Sequence, residues 1–134
     1  GKIVARDISK KIADEGYNVI SGLARGIDEY SHLGALDSKK SKTIAVLGTG
    51  VDEESIYPLE NKRIYERILE ENGLIISEYP IGTKPISYNF PARNRIISGL
   101  SYGVLVVEAS KKSGSLITAD CALEQGKNVY AIPR

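Results

Sequence analysis

Cysteine and histidine each occur once in the 134 residues, as Cys121 and His32, and methionine is absent. One cysteine permits no internal disulfide, and with one histidine no Cys/His zinc set can be assembled. No apolar run approaches the roughly 20 residues that a bilayer-spanning helix needs, and the opening GKIVARDISKK lacks the apolar core of a signal peptide. A cytoplasmic protein with no membrane partner and no metal is expected. The missing methionine, and an opening at Gly1 straight into a helical pattern, lead us to expect one domain over residues 1–134, truncated at both ends.

What is present fits that expectation. Hydrophobic residues make up 42% and charged residues 26%, an ordinary globular composition with a formal charge of +1. The small total hides segregation: residues 51–78 hold eight acids and three bases, residues 79–118 five bases and one acid. A localised basic segment in a neutral chain can attract a polyanion, although a solvated surface gives the same pattern.

Val4, Ile8 and Ile12 recur at helical spacing before Gly16. A short β-prone run, Val19–Ser21, leads through a glycine turn into a helix from Gly26 to Ser38. The plan repeats with a strand over Thr43–Leu47 and a helix over Asn61–Asn72, whose apolar face is Ile64, Ile68 and Leu69. Leu74–Ser77 is the next strand, and Ala92–Leu100 the next helix. Val104–Val107 reads as the most buried strand, Leu116–Gln125 as a helix, and Asn128–Ile132 as the last strand. Continuous apolar strands such as TIAVL and VLVV indicate burial on both faces. The spacing therefore predicts a doubly wound α/β fold, a mostly parallel sheet between two helical layers. Right-handed crossovers place every strand-to-helix turn along its carboxyl edge, where such folds bind ligands.

Four turns meet there. Ser21, Gly22 and Gly26 of SGLARGID and Gly48 and Gly50 of GTG are small enough to let backbone amides approach phosphate oxygens, and Arg25 can grip phosphate through its planar guanidinium. For the glycines and Asp28 the plainer reading is turn geometry and helix-dipole complementarity. The twelve-residue loop YPIGTKPISYNF carries Lys84 and delivers Phe90 to a helix whose first turn holds Arg93, Asn94 and Arg95. Two arginines at a helix N-terminus oppose its dipole, so a shared anion is the simplest reason for them. Phe90 beside them suits base stacking, with packing beneath the loop as the alternative. Ser113, Gly114, Ser115 and Thr118 open the next helix, where hydroxyls cap it or contact phosphate.

Catalytic and cofactor signals are weak. GTGVDE lacks the third glycine of a dinucleotide fingerprint, and no P-loop ending occurs, so no cofactor is expected. His32 lies inside a helix four residues after Asp28 with no nucleophile fixed beside it by local sequence. Glu78 and Glu108 share the groove edge, and paired carboxylates could cleave an N-glycosidic bond. That keeps a phosphoribohydrolase or deoxyribosyltransferase as the alternative, although SKKSGSLITAD lacks the PGGxGTxxE motif of those enzymes.

The segments SGLARGIDEYSHLGAL, TIAVLGTGVD with YP (Tyr57-Pro58) shortly after, SEYPIGT, FPARNRIISGLS and VLVVEASKKSGSLITADCALEQGKNVYAIP together resemble the DNA-processing protein A family, DprA/Smf. The resemblance spans nearly the whole chain in order. It implies a Rossmann-like, non-enzymatic, homodimeric domain that binds single-stranded DNA without sequence preference. It also implies loading of the RecA recombinase during natural transformation or related recombination. By resemblance, Arg25, Phe90, Arg93, Asn94 and Arg95 fall on the family's DNA pocket, and Ser113 to Thr118 on a second phosphate-contacting turn. The family often carries a lysine where this chain has Ser87, and Lys84 is the substitute from farther away. The resemblance also places a strand ahead of Gly1.

Overall fold

A computed structural model describes residues 1–108 and 114–133. Five helices alternate with five strands: α1 (Lys2–Asp14), β1 (Val19–Ser21), α2 (Ile27–Asp37), β2 (Thr43–Leu47), α3 (Lys62–Glu70), β3 (Leu74–Ser77), α4 (Asn89–Gly99), β4 (Gly103–Val106), α5 (Gly114–Glu124) and β5 (Asn128–Ala131). Two single 3-10 turns, Glu53–Ser55 and Leu59–Asn61, lie between β2 and α3. Among the described residues every strand pairing is parallel, with β1, β2 and β3 side by side in that order and β4 beside β5. Both α2 and α4 pack on β2, but α2 joins α1 and α3 whereas α4 joins α5, so the helices form two layers on opposite faces. The fold is the α/β architecture that the sequence predicts.

The core lies between β2 and the first layer. Ala45, Leu47, Leu36, Ile56, Ile64 and Ile68 form one buried cluster with Leu23. Leu69 does not join it: about 100° around the helix from Ile68, it is 48% exposed. The buried face of α1 also differs from the expected one. Ala5, Ser9 and Ala13 are buried there, one position on from Val4, Ile8 and Ile12. The reason is Gly34, where any Cβ would stand 2.2 Å from the Arg6 carbonyl oxygen, so only glycine lets α1 and α2 come this close.

The five strands do not form one continuous ladder. Between β1 and β4 lies a cleft of about 1500 Å³, lined by Ile8 and Ile12 of α1, Ile20 of β1 and Val104 and Leu105 of β4. This corrects the reading of Val104–Val107 as the most buried strand. β4 has a strand neighbour on one side and the cleft on the other, so all four of its residues are half-buried, whereas Ala45, Val46 and Leu47 of β2 are buried.

Candidate nucleic-acid interface

The SGLARG turn leaves β1 with Leu23 in the left-handed region, at φ 62°, an uncommon conformation for a branched apolar residue. Three buried contacts hold it. The Leu23 amide donates to His32 Nε2 at 3.2 Å, and Asn61 Nδ2 donates to the Leu23 carbonyl at 2.9 Å. The Leu23 side chain is itself wholly buried in the core. His32 Nδ1 lies 2.8 Å from Thr43 Oγ1, which donates to the Val19 carbonyl. With Nε2 accepting, Nδ1 carries the proton and the ring is neutral. Burial lowers the His32 pKa to about 4, with Arg93 adding to the shift and Asp28 opposing it. His32 is thus a strut beneath the turn, which suits the structural reading of this histidine.

The turn's amides are directed inward. Asp28 Oδ2 accepts from Gly22 and Ala24, at 3.1 and 3.3 Å, and Glu29 Oε1 accepts from the Gly26 amide at 3.2 Å. The Gly50 amide donates to the Thr83 carbonyl. These glycine amides, expected to cradle phosphate, are therefore already engaged, and in the SGLARG turn the Asp28 carboxylate takes the place a phosphate oxygen would have. Gly48 acts through its missing side chain: a Cβ there would stand 2.8 Å from the Phe90 ring, so its bareness seats that ring. Ser21 lines the cleft at the end of β1.

The FPARNR helix separates its three polar residues. Arg93 is 4% exposed, and its Nη1 donates to the carbonyls of Gly22 and Val46 at 2.9 and 2.6 Å, at the carboxyl ends of β1 and β2. Its Nε donates to Asn94 Oδ1 at 3.0 Å. Desolvation lowers its pKa from the usual arginine value, and Asp28 partly offsets this. The reason for an arginine at this helix start is thus strand-end carbonyls, where a shared anion was expected. Asn94 Nδ2 donates to the Gly114 carbonyl, tying α4 to α5. Arg95, about 200° around the helix from Arg93, is exposed and paired with Glu78.

The cleft gathers Arg25, Phe90, Arg93 and Asn94, together with Gly114, Ser115 and Thr118 at the start of α5. Thr118 Oγ1 donates to the Gly114 carbonyl one turn before it, a bond back onto the helix's own backbone that caps no free amide. Ser113 lies outside the described residues. Lys84 is exposed on its loop, close enough to Asp52 to help hold that carboxyl below its usual pKa, behind the larger effect of the Gly82 amide. Neither Lys84 nor Arg95 lines the cleft. Glu108 does, whereas Glu78 is turned to Arg95, so the carboxylate pair required by the glycosidic alternative is not assembled.

Tyr57 and Glu60, to which the sequence assigns no role, both meet Arg25. Arg25 Nε and Nη2 donate to the two carboxylate oxygens of Glu60, at 3.1 and 3.2 Å, as a fork. The same guanidinium lies 5.3 Å over the Tyr57 ring, whose centroid is 5.6 Å from that of Phe90. Arg93 in turn lies 5.6 Å over Phe90. Arg25, Tyr57, Phe90 and Arg93 thus follow one another in a chain of contacts, each arginine over one ring and the two rings inclined to one another. Tyr57 stands in the sequence only as the YP of the family pattern, and periodicity gives it no role because it sits between two 3-10 turns.

The sequence pattern of DNA recombination-mediator protein A matches residues 1–134. The chain belongs to that family. The Smf protein of Escherichia coli strain K12 is 50% identical over 133 residues, which is 99% of this chain and 35% of that one. The solved DNA processing protein A (DprA) of Streptococcus pneumoniae is 43% identical with a TM-score of 0.87, covering 99% of this chain and 45% of that one. DNA processing protein A of Helicobacter pylori, solved in a study of its single-stranded DNA binding mode, is 33% identical with a TM-score of 0.88. There the match covers 99% of this chain and 59% of that one. The chain thus spans a third to three-fifths of the length of those relatives. Among its described residues, no helix is long and apolar enough to cross a membrane.

Proposed function

We propose that this chain binds single-stranded DNA without sequence preference and passes the bound strand to a RecA-type recombinase in the cytoplasm, acting as a homodimer in DNA uptake or recombination. The observation that carries this reading is the meeting of Arg25 and Phe90 in one cleft at the carboxyl edge. A cation supplies phosphate attraction, and a partly exposed ring supplies a face for any base, which together suit a flexible strand read without regard to sequence. Family membership and the subject of the Helicobacter pylori work support the same choice. Asn94, Gly114, Ser115 and Thr118 extend the path along the start of α5, with Ser113 ahead of them. Lys84 and Arg95 contribute from outside the cleft as peripheral contacts. No residue is assigned a catalytic role.

The open edges of β1 and β4, and the apolar Ile8 and Ile12 facing the space between them, support reading the chain as one Rossmann-like domain in which a further strand from ahead of Gly1 fills the part of the cleft between β1 and β4, leaving the end at Arg25, Phe90 and the start of α5 to the DNA.

The test is fluorescence anisotropy with labelled oligothymidine. Arg25→Ala and Phe90→Leu are each expected to weaken binding at least fivefold, in line with the roughly 1 to 3 kcal/mol that one stacked base contributes. Unchanged affinity in both variants would reject the assignment.

A further inference from the structure

We infer that Tyr57 and Glu60 complete the nucleotide site: Tyr57 is its second aromatic face, and Glu60 is a built-in carboxylate that occupies Arg25 until a strand phosphate replaces it. The inference rests on the strand-binding reading and adds to it the residues that set affinity and selectivity.

Geometry carries the first half. Tyr57 is 41% exposed, and its ring is inclined at 49° to Phe90 with the centroids 5.6 Å apart. The two rings are angled facets side by side, and a base laid on one meets the edge of the other. Arg25 lies over Tyr57 and also donates from Nη1 toward its hydroxyl, at 3.4 Å. A phosphate held by Arg25 would therefore belong to a nucleotide whose base is within reach of this aromatic pair.

The second half follows from the fork. Arg25 presents its Nε and Nη2 edge to two oxygens of Glu60, the same edge that two oxygens of a phosphate would take. Both side chains of the ion pair are more than half exposed, so the exchange requires no unfolding. Arg25 holds the Glu60 carboxyl below its usual pKa, so the competitor stays charged. Being tethered, Glu60 competes at high effective concentration against a free phosphate or mononucleotide. A polynucleotide displaces it more readily, because neighbouring base contacts keep its phosphate at Arg25. This also gives a purpose to one acid of the acid-rich segment 51–78: it makes the site selective for a polymer.

The experiment is oligothymidine anisotropy with thymidine monophosphate as competitor, run on the wild-type chain and on Glu60→Gln, Glu71→Gln, Tyr57→Phe and Tyr57→Leu. Glu71 pairs with Lys39 and Arg67 at the end of α3, away from the cleft, so Glu71→Gln makes the same change in net charge and serves as the control. Glu60→Gln is expected to bind oligothymidine roughly two- to fivefold tighter than Glu71→Gln, the size of an exposed ion pair, and to be displaced by less monophosphate. Tyr57→Phe should keep wild-type affinity and Tyr57→Leu should lose at least fivefold. Photo-crosslinking of wild-type chain to an oligomer containing 5-iododeoxyuridine should place adducts on Tyr57 as well as Phe90, a readout independent of variant folding. Equal affinity of the two Gln variants, or no adduct on Tyr57, would overturn the inference while leaving DNA binding intact. Absence of oligothymidine binding by both the wild type and Glu60→Gln would overturn the strand-binding reading and this inference with it.

Discussion

The Arg93 guanidinium donates to the Val46 carbonyl at 2.6 Å, closing the end of the central strand β2 from a helix 47 residues away in sequence. A cation so placed, and nearly buried, belongs to the architecture of the cleft before it belongs to any ligand. Arg93→Ala is expected to destabilise the fold by about 3 kcal/mol, because it strands two strand-end carbonyls. Arg93→Lys should recover only part of this, since an ammonium lacks the planar fork. Urea unfolding of the three proteins checks the order.

His32 makes stability depend on pH in a defined window. Its folded pKa, about 4, lies below the value of about 6.5 for an unfolded histidine. Below pH 6.5 the unfolded chain takes up a proton that the folded chain refuses, so this stabilisation is complete above pH 6.5 and is lost progressively toward pH 4. It is the sole histidine, so the loss between about pH 6.5 and 5 is its signature. Urea unfolding at about pH 7.5 and 5 should differ by about 2 kcal/mol in the wild type. In His32→Gln the difference should nearly vanish. An equal pH dependence in that variant would contradict the strut.

Gly48→Ala places a methyl where the Phe90 ring now rests, at 2.8 Å. The ring must shift, and oligothymidine affinity should fall about fivefold, equivalent to about 1 kcal/mol of stacking, while the far-ultraviolet circular dichroism stays unchanged.

Arg95 and Arg25 should behave differently although resemblance groups them. Arg95 is turned to Glu78 outside the cleft, so Arg95→Ala is expected to change oligothymidine affinity by less than about twofold, against at least about fivefold for Arg25→Ala. Anisotropy on the pair of variants separates them.

Element type is legible in the sequence wherever periodicity or an apolar run is long. The β2 stretch TIAVL and the α3 pair Ile64 and Ile68 fall where their patterns predict, because a helix face or a buried strand imposes its own spacing. Neighbours are not legible. VLVV reads as buried on both faces, yet β4 borders the cleft, and nothing local records which strand stands beside it. The α1 face reads one position off because the close approach depends on Gly34, far along the chain from Ala5. In the site, Arg25 and Phe90 emerge from turn chemistry and the long loop. Arg93 reads as a ligand contact because its true acceptors, Gly22 and Val46, are 71 and 47 residues away. Tyr57 and Glu60 meet Arg25 only through the path of an irregular segment.

The central claim is that Arg25 holds a strand phosphate in the cleft, and the salt dependence of binding measures it most directly. Oligothymidine affinity should fall linearly in logarithmic coordinates with salt, and Arg25→Ala should flatten the slope by about 0.7, the counterion release of one single-strand contact. An identical slope in the two proteins, at any affinity, would contradict the account.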